Sequence, residues 1–336
     1  MATNKTMMIF IEQRKGDIQK VSFELLGEAR RLLTRHEKPW TLTALVIGDT
    51  LDDDTLRPLI EHGADQVICC EDASLKAYDT LFYTDAIEKI VNDIKPEVFL
   101  IGGTILGRDL APRVSARLHT GLTADATHMD FEAESESDIL QITRPAFGGN
   151  LFATIVCENH KPQMASIRPG VFEPLEQNMK NQGEIERIPS PPSRVSQVKT
   201  LKSIKKEAPA NTIDEARIIV SAGRGVKSCL DLVKDVADHF QGEVGASRAL
   251  VDEGLIDKPS QIGQTGSTVR PVIYLACGIS GAIQHVAGMD KSETVIAINT
   301  DEAAPIFNVA DLGIIGDAKP ILHELKTLMG TNSAHE

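Results

Sequence analysis

The sequence has no run approaching the ~18 apolar residues that a membrane-spanning helix needs. The apolar core of its opening "MATNKTMMIFIEQRKG" is too short for a signal peptide and reads better as a strand. Cysteine is scarce: Cys69, Cys70, Cys157, Cys229 and Cys277 form no CxxC pair. Their odd number and spacing fit neither zinc nor an iron–sulfur cluster. Buried thiols in a reducing cytoplasm are expected instead. Basic residues are in deficit, with 35 Lys and Arg against 48 Asp and Glu and a net charge of −13. That balance disfavours a nucleic-acid binder, which needs clustered cations. It leaves room for an anionic cofactor, because a few Arg and backbone N–H groups can hold phosphate locally.

Three nucleotide and catalytic signatures are also missing. There is no GxGxxG, so a Rossmann dinucleotide site has poor support. "GVKS" resembles the end of a P-loop without its spacing. No Ser–His–Asp or paired-carboxylate arrangement can be picked out.

What is present is a regular alternation. The 336 residues suggest two domains, and 42% hydrophobic with 25% charged residues is ordinary for a globular chain. "MMIFIEQ", "TLTALVIGD", "QVICCED" and "PEVFLIGGT" read as strands. Between and after them lie helical patterns: "SFELLGEARRLL", with Phe23, Leu26, Ala29 and Leu33 near helical spacing, "DDTLRPLIEHG", "YTDAIEKIVNDI" and "GRDLAPRVSARLH", the last with Pro112 near its first turn. Such alternation predicts an α/β fold with a doubly wound, mostly parallel sheet. From Ala126 to Phe172 the apolar period becomes two, which predicts antiparallel strands appended to the sheet. Residues 173–210 contain "IPSPPS" and "KTLKSIKKEAPA" and read as a stiff connection. The expected division is an N-terminal α/β domain over 1–190, a linker over 191–209 and a smaller C-terminal α/β domain over 210–336.

In that second domain, glycine and hydroxyl residues recur at successive strand ends. "SAGRG" offers Gly223, Gly225 and Arg224; "GASR" offers Ser247 and Arg248; "QIGQTGST" offers Gln264 and Thr265. "GISGAIQH" offers Ser280 and Gly281 before a helix bearing His285, "INTDEAAP" offers Asn299, and "GIIGD" ends in Asp317. Each alone is weak. Together they describe one groove at the carboxyl edge of a sheet, where open α/β sheets bind ligands. On the residues alone, His285 is equally compatible with a structural and a ligand-facing role.

Five of these motifs, in order over about 100 residues, resemble the FAD-binding segments of the electron transfer flavoprotein alpha subunit: "SAGRGVKS", "VGASRALVDEG", "QIGQTGSTVRP", "GISGAIQHVAGM" and "IAINTDEAAPIFNVADLGIIGD". "GRDLAPRVSARLHTGLTAD", "RPAFGGN" and "PQMASIRPGVF" extend the resemblance to the first half, closer to bacterial and archaeal members than to mitochondrial ones. The resemblance implies that FAD phosphates lie against Ser280 and Gly281, and that Arg224, Ser247, Asn299 and Asp317 contact the cofactor. It implies that Ile262, Gly263, Gln264 and Thr265 line the flavin, with the Thr265 hydroxyl near N5. Arg248 matches an arginine over the ring, and His285 a histidine directed at the C2 carbonyl. Ala282, Ile283 and Gln284 belong to the same cofactor-binding stretch.

The implied roles are physically coherent. One-electron reduction puts negative charge on the N1–C2=O region of a flavin. A donor already aimed there needs no reorganisation, and a guanidinium nearby adds Coulomb attraction. The implied protein is a carrier in which the hard chemistry is the cofactor's. It would be paired with a beta subunit holding AMP or a second FAD. It would pass electrons from acyl-CoA dehydrogenase-type flavoenzymes, as in fatty acid beta-oxidation, or take part in electron bifurcation with NADH. The proline-rich linker is expected to let the FAD domain swing. Two other readings stay open: an NAD-linked or deoxyhypusine-synthase-like enzyme, and a nucleotide-binding regulatory module.

Overall fold

The computed structural model describes residues 5–36, 39–132, 138–146, 151–191, 213–214 and 216–332, without the side chains of 329–332. The chain divides into two compact units, Met1–Ser203 and Ile204–Glu336. The expected linker over 191–209 falls almost wholly outside the described residues.

The first unit alternates β1 (Lys5–Ile11), α1 (Lys20–Arg35), β2 (Trp40–Gly48), α2 (Asp53–Glu61), β3 (Gln66–Glu71), α3 (Thr80–Ile94), β4 (Val98–Gly102) and α4 (Ile105–Arg117). Then come β5 (Leu122–Ala126), β6 (His128–Phe131), β7 (Leu140–Pro145), β8 (Phe152–Ile155), β9 (Gln163–Ile167) and β10 (Glu184–Pro189). Seven strands form a parallel sheet in the order β10-β3-β2-β1-β4-β9-β5. Strand β1 shows why both faces are covered. Met7, Ile9 and Ile11 point to a core with Leu25 of α1 and Leu56 of α2. Met8 and Phe10 point to a second core with Ile87 of α3 and Leu110 of α4. A strand buried on both faces has no polar alternation, which is the mark of a doubly wound parallel sheet. Each such buried side chain contributes about 1.5–3 kcal/mol.

Local signals set the helix ends. Asp52 caps α2 by accepting from Thr55 N at 2.8 Å, and Asp79 caps α3 by accepting from Leu81 N at 2.9 Å. Helix α4 begins at Ile105, with Thr104 Oγ1 accepting from Gly107 N, so Pro112 lies in its interior and not in its first turn.

Two other expectations need correction. The period-two region does not simply extend the sheet. β6, β7 and β8 form a separate three-stranded antiparallel sheet, while β9 joins the parallel sheet between β4 and β5. Alternation reports one exposed face and says nothing of the partner strand. Every residue of β9 is buried, as a central strand requires. The second correction concerns 173–190, which is no mere connection. Its Glu184–Pro189 segment returns as the edge strand β10 beside β3. Polar residues and a terminal proline are what an edge strand tolerates.

The second unit contains β11 (Ile218–Ala222), α5 (Leu230–His239), β12 (Glu243–Ala246), α6 (Arg248–Asp252), β13 (Ile273–Cys277), α7 (Ile283–Val286), β14 (Thr294–Asn299), β15 (Leu312–Ile315) and α8 (Ala318–Asn332). Its five strands are all parallel, in the order β12-β11-β13-β14-β15. Helices α5 and α8 cover one face through Val233, Val236 and Leu322. The other face is covered by turns, with Ile262, Met289 and Ile306 packed on Ile219, Tyr274 and Ala276. Among the described residues no helix is long and apolar enough to cross a membrane.

Candidate functional site

Strand order reverses at β11 in the second unit: the chain moves outward to β12 and returns on the other side to β13. The crevice at the carboxyl ends of β11 and β13 is therefore the place for a ligand. The two turns leaving these strands are tied together, Gly223 N donating to Cys277 O at 2.8 Å and Gly225 N to Gly278 O at 3.2 Å. Beside them, Ser247 N bonds Ala222 O at 2.9 Å, which places the start of α6 on the same rim. The loop after α6 returns as Ile262 N bonds Ala246 O at 2.9 Å and Gln264 N bonds Gln284 O at 2.6 Å. Four turns separated in sequence thus become one wall.

The result is a groove of about 640 Å³, within the range of small-molecule and cofactor sites. It is lined by Arg224, Ser247, Arg248, Ile262, Gly263, Gln264, Thr265, Ser280, Ala282, Gln284, His285 and Asn299, all expected from the motifs. Gly281, Ile283 and Asp317 do not line it. Gly281 is buried under the rim, where Ile306 N donates to the neighbouring Ser280 O at 3.1 Å. Asp317 is exposed and accepts from Lys319 N at 3.0 Å at the start of α8.

Charge in the groove is positive. Arg224 and Arg248 are both exposed, and among the described residues no Asp or Glu lines it. Arg248 Nε donates to Asp252 one turn along α6 at 3.1 Å, which fixes the base of the guanidinium. Helix α7 is a single four-residue turn, shorter than "AIQHVAGM" suggests. Its dipole is correspondingly small, so an anion there depends on individual N–H groups, hydroxyls and the two arginines. Asn299 donates to Ile279 O at 2.8 Å and accepts from Asp301 N at 3.0 Å, so it shapes its turn as well as lining the groove.

His285 is the buried member. It is 7% exposed, and burial pulls its pKa down to about 4, the Ile262 carbonyl opposing this weakly. Nε2 lies 2.8 Å from the Tyr274 hydroxyl, while Nδ1, also buried, has no partner with hydrogen-bond geometry among the described residues. A buried polar atom without a partner costs about 1–3 kcal/mol, and a ligand acceptor would remove that cost.

One further lining residue, Gln261, is not singled out by the motifs. Gln261, 1% exposed, donates from Nε2 to Thr265 Oγ1 at 2.9 Å and accepts from Lys258 Nζ at 2.6 Å. Lys can only donate, so it fixes which end of the amide faces Thr265, and the threonine hydrogen is left to donate elsewhere. A glutamine ahead of a glycine-rich loop was the available signal, but its burial was not legible.

Cys277 ends β13 beside the groove, fully buried, with its thiol pushed up to about 12 by burial. It is a protonated packing residue. The first unit's own switch point, between β1 and β4, is filled differently. The Glu12 carboxylate, 2% exposed, accepts from Thr104 Oγ1 and from Arg14 Nη2, the latter at 2.8 Å. An incoming phosphate would meet an anion there.

Family comparison decides the affiliation. The electron transfer flavoprotein domain matches residues 7–193, and the electron transfer flavoprotein FAD-binding domain matches residues 212–290. The chain belongs to the electron transfer flavoprotein alpha-subunit family. It is 45% identical over 329 residues to an electron transfer flavoprotein subunit alpha from Clostridium acetobutylicum, covering 96% of each chain. It is 41% identical over 341 residues to an acryloyl-CoA reductase electron transfer subunit beta from Anaerotignum propionicum, covering 93% of this chain and 92% of the relative. It is 39% identical over 324 residues to lactate dehydrogenase (NAD(+),ferredoxin) subunit LctC from Acetobacterium woodii, covering 96% of this chain and 76% of that one. The groove lies in the unit that the family's FAD-binding domain matches.

Proposed function

We propose that the second unit holds one FAD in this groove, and that the chain works as the alpha subunit of a heterodimer that carries electrons. The observation behind this reading is the unpartnered, buried Nδ1 of His285 on a groove with two arginines and no carboxylate. FAD, when bound, would supply the one- and two-electron chemistry. The chain's own residues bind and tune. Arg224, Ser247, Ser280 and Asn299 offer polar contacts along the groove, and the motif match extends these to Gly281 and Asp317. Arg248 brings fixed positive charge. Thr265 is held as a donor by Gln261, and His285 is kept neutral by burial.

The beta subunit is the partner that completes the assembly, and it would hold AMP or a second FAD. The first unit serves as scaffold and interface, since Glu12 occupies the crevice where a nucleotide would sit. The working compartment is the cytoplasm. A flavin dehydrogenase of the acyl-CoA type is the expected electron donor or acceptor, and the names of the acryloyl-CoA reductase and lactate dehydrogenase relatives agree with such company. The latter's name, which joins NAD and ferredoxin, supports bifurcation with NADH as the finer form of this function. Copurifying the chain with its beta subunit and counting nucleotides should give one FAD per alpha chain. NADH should then reduce the flavin directly if the complex bifurcates. A folded heterodimer free of flavin would refute the proposal.

Arg248 gives a quantitative check. Arg248→Ala should lower the first reduction potential of the bound flavin, by up to ~60 mV if about 1.4 kcal/mol of attraction is lost. Exposure of this side chain allows solvent to screen part of it. Arg248→Lys should recover only part, because an ammonium lacks the planar guanidinium. A fall below ~20 mV, or a rise, in a potentiometric titration would contradict the electrostatic role.

A further inference from the structure

Beneath His285 lies a buried tyrosine that the cofactor motifs do not include. Tyr274, in the middle of "VIYLAC", is fully buried on β13 among Ile219, Ile262 and Met289. Its hydroxyl has one hydrogen to place and lies 2.8 Å from Nε2 of His285. Burial pushes the Tyr274 hydroxyl up, and the Ser221 hydroxyl on β11 partly opposes that push. Ser221 pairs with Ala276 on the same sheet face as Tyr274, and its own oxygen is buried without a partner of hydrogen-bond geometry.

The direction of the contact decides what the ring presents. If Nε2 carried the proton it would donate to the phenol oxygen. The phenol hydrogen would then turn toward Ser221, and the Ser221 hydrogen would have no acceptor among the described residues. Nδ1 would be a bare lone pair. In the opposite direction the phenol donates its one hydrogen to Nε2, and the Ser221 hydroxyl, though outside hydrogen-bond geometry, can point its hydrogen toward the phenol oxygen, the sense in which it opposes the upward push of burial on Tyr274.

We propose that Tyr274 is a positioning residue for His285: its hydroxyl donates to Nε2, so that the proton sits on Nδ1 and the neutral ring offers one fixed N–H. This rests on the FAD reading only for what that N–H meets, a carbonyl oxygen of the bound ligand. A flipped tautomer would set a lone pair against that oxygen and turn attraction into repulsion. Tautomer control by a hydrogen bond at the far ring nitrogen is how histidine is commonly set for its task.

The test reads the tautomer in the full chain with its beta subunit, stripped of flavin and labelled with 15N-histidine, at neutral pH. The His285 signal, assigned by its loss in His285→Asn, should show a protonated Nδ1 and a bare Nε2. In Tyr274→Phe, which keeps the ring volume, that preference should be lost. Reloaded with FAD, Tyr274→Phe should bind about tenfold more weakly, the scale of one buried hydrogen bond. A wild-type ring protonated on Nε2 overturns the proposal, as does an unchanged tautomer in a folded Tyr274→Phe. If that variant fails to fold, the wild-type tautomer alone decides. Because the tautomer is read without flavin, a failed FAD reading would show separately, as absent binding in the wild type.

Discussion

Gly281→Ala is expected to destabilise the second unit by about 2–5 kcal/mol, combining left-handed backbone strain with overpacking. Gly281 has φ +84°, and a Cβ there would stand 2.2 Å from Ile306 N and 2.5 Å from Ile306 Cα. Both obstacles are backbone, so no side chain can swing aside. The turn after β13 is thereby locked against the segment after β14, which sets the floor of the groove at Ser280. Gly254 supplies the control. Its φ is +71°, but a methyl group at that position would meet nothing within 4 Å, so Gly254→Ala should cost only the strain, about 1–2 kcal/mol. Urea unfolding of flavin-free protein compares the two directly. Equal midpoints would mean that the close approach at Ile306 has been misjudged.

The second large effect is in pH. His285 has its pKa pulled down by burial from 6.5 to about 4. Between those values the unfolded chain binds the proton and the folded chain does not. Stability should therefore be undiminished above pH ~6.5, fall as pH drops through the window, and level off below about 4. The total loss is roughly 3 kcal/mol, from about 1.4 kcal/mol per unit. His285→Asn cannot titrate, so its stability should be flat where the wild type slopes. Carboxylates contribute equally to both, and the difference between the two profiles isolates the ring. Parallel profiles would mean that the imidazole is solvated or already charged in the fold.

Much of this was legible in the sequence because the signals were local. The βα alternation and the glycine turns at strand ends each depend on a few neighbouring residues. The groove lining emerged because parallel topology places successive strand ends on one edge, whatever the details of packing. The failures came where a signal had no partner in it. Period two at 128–155 marked strands but not the sheet they join. The polar "EIERIP" looked like a connection because an edge strand and a loop share a composition. Tyr274 and Gln261 were invisible because their importance lies in burial and in one contact each. Helix α7 was overestimated, since "AIQHVAGM" is as consistent with one turn as with two.

Hydrogen–deuterium exchange on the flavin-free complex, with and without added FAD, tests the central claim most directly. Protection should appear at residues 223–226, 247–249, 261–265 and 278–285, four segments that converge on one groove. The ends of β1 and β4 around Glu12 and Thr104 should exchange unchanged. Protection confined to the first unit, or none in the four segments at saturating FAD, would contradict the assignment of the cofactor to this groove.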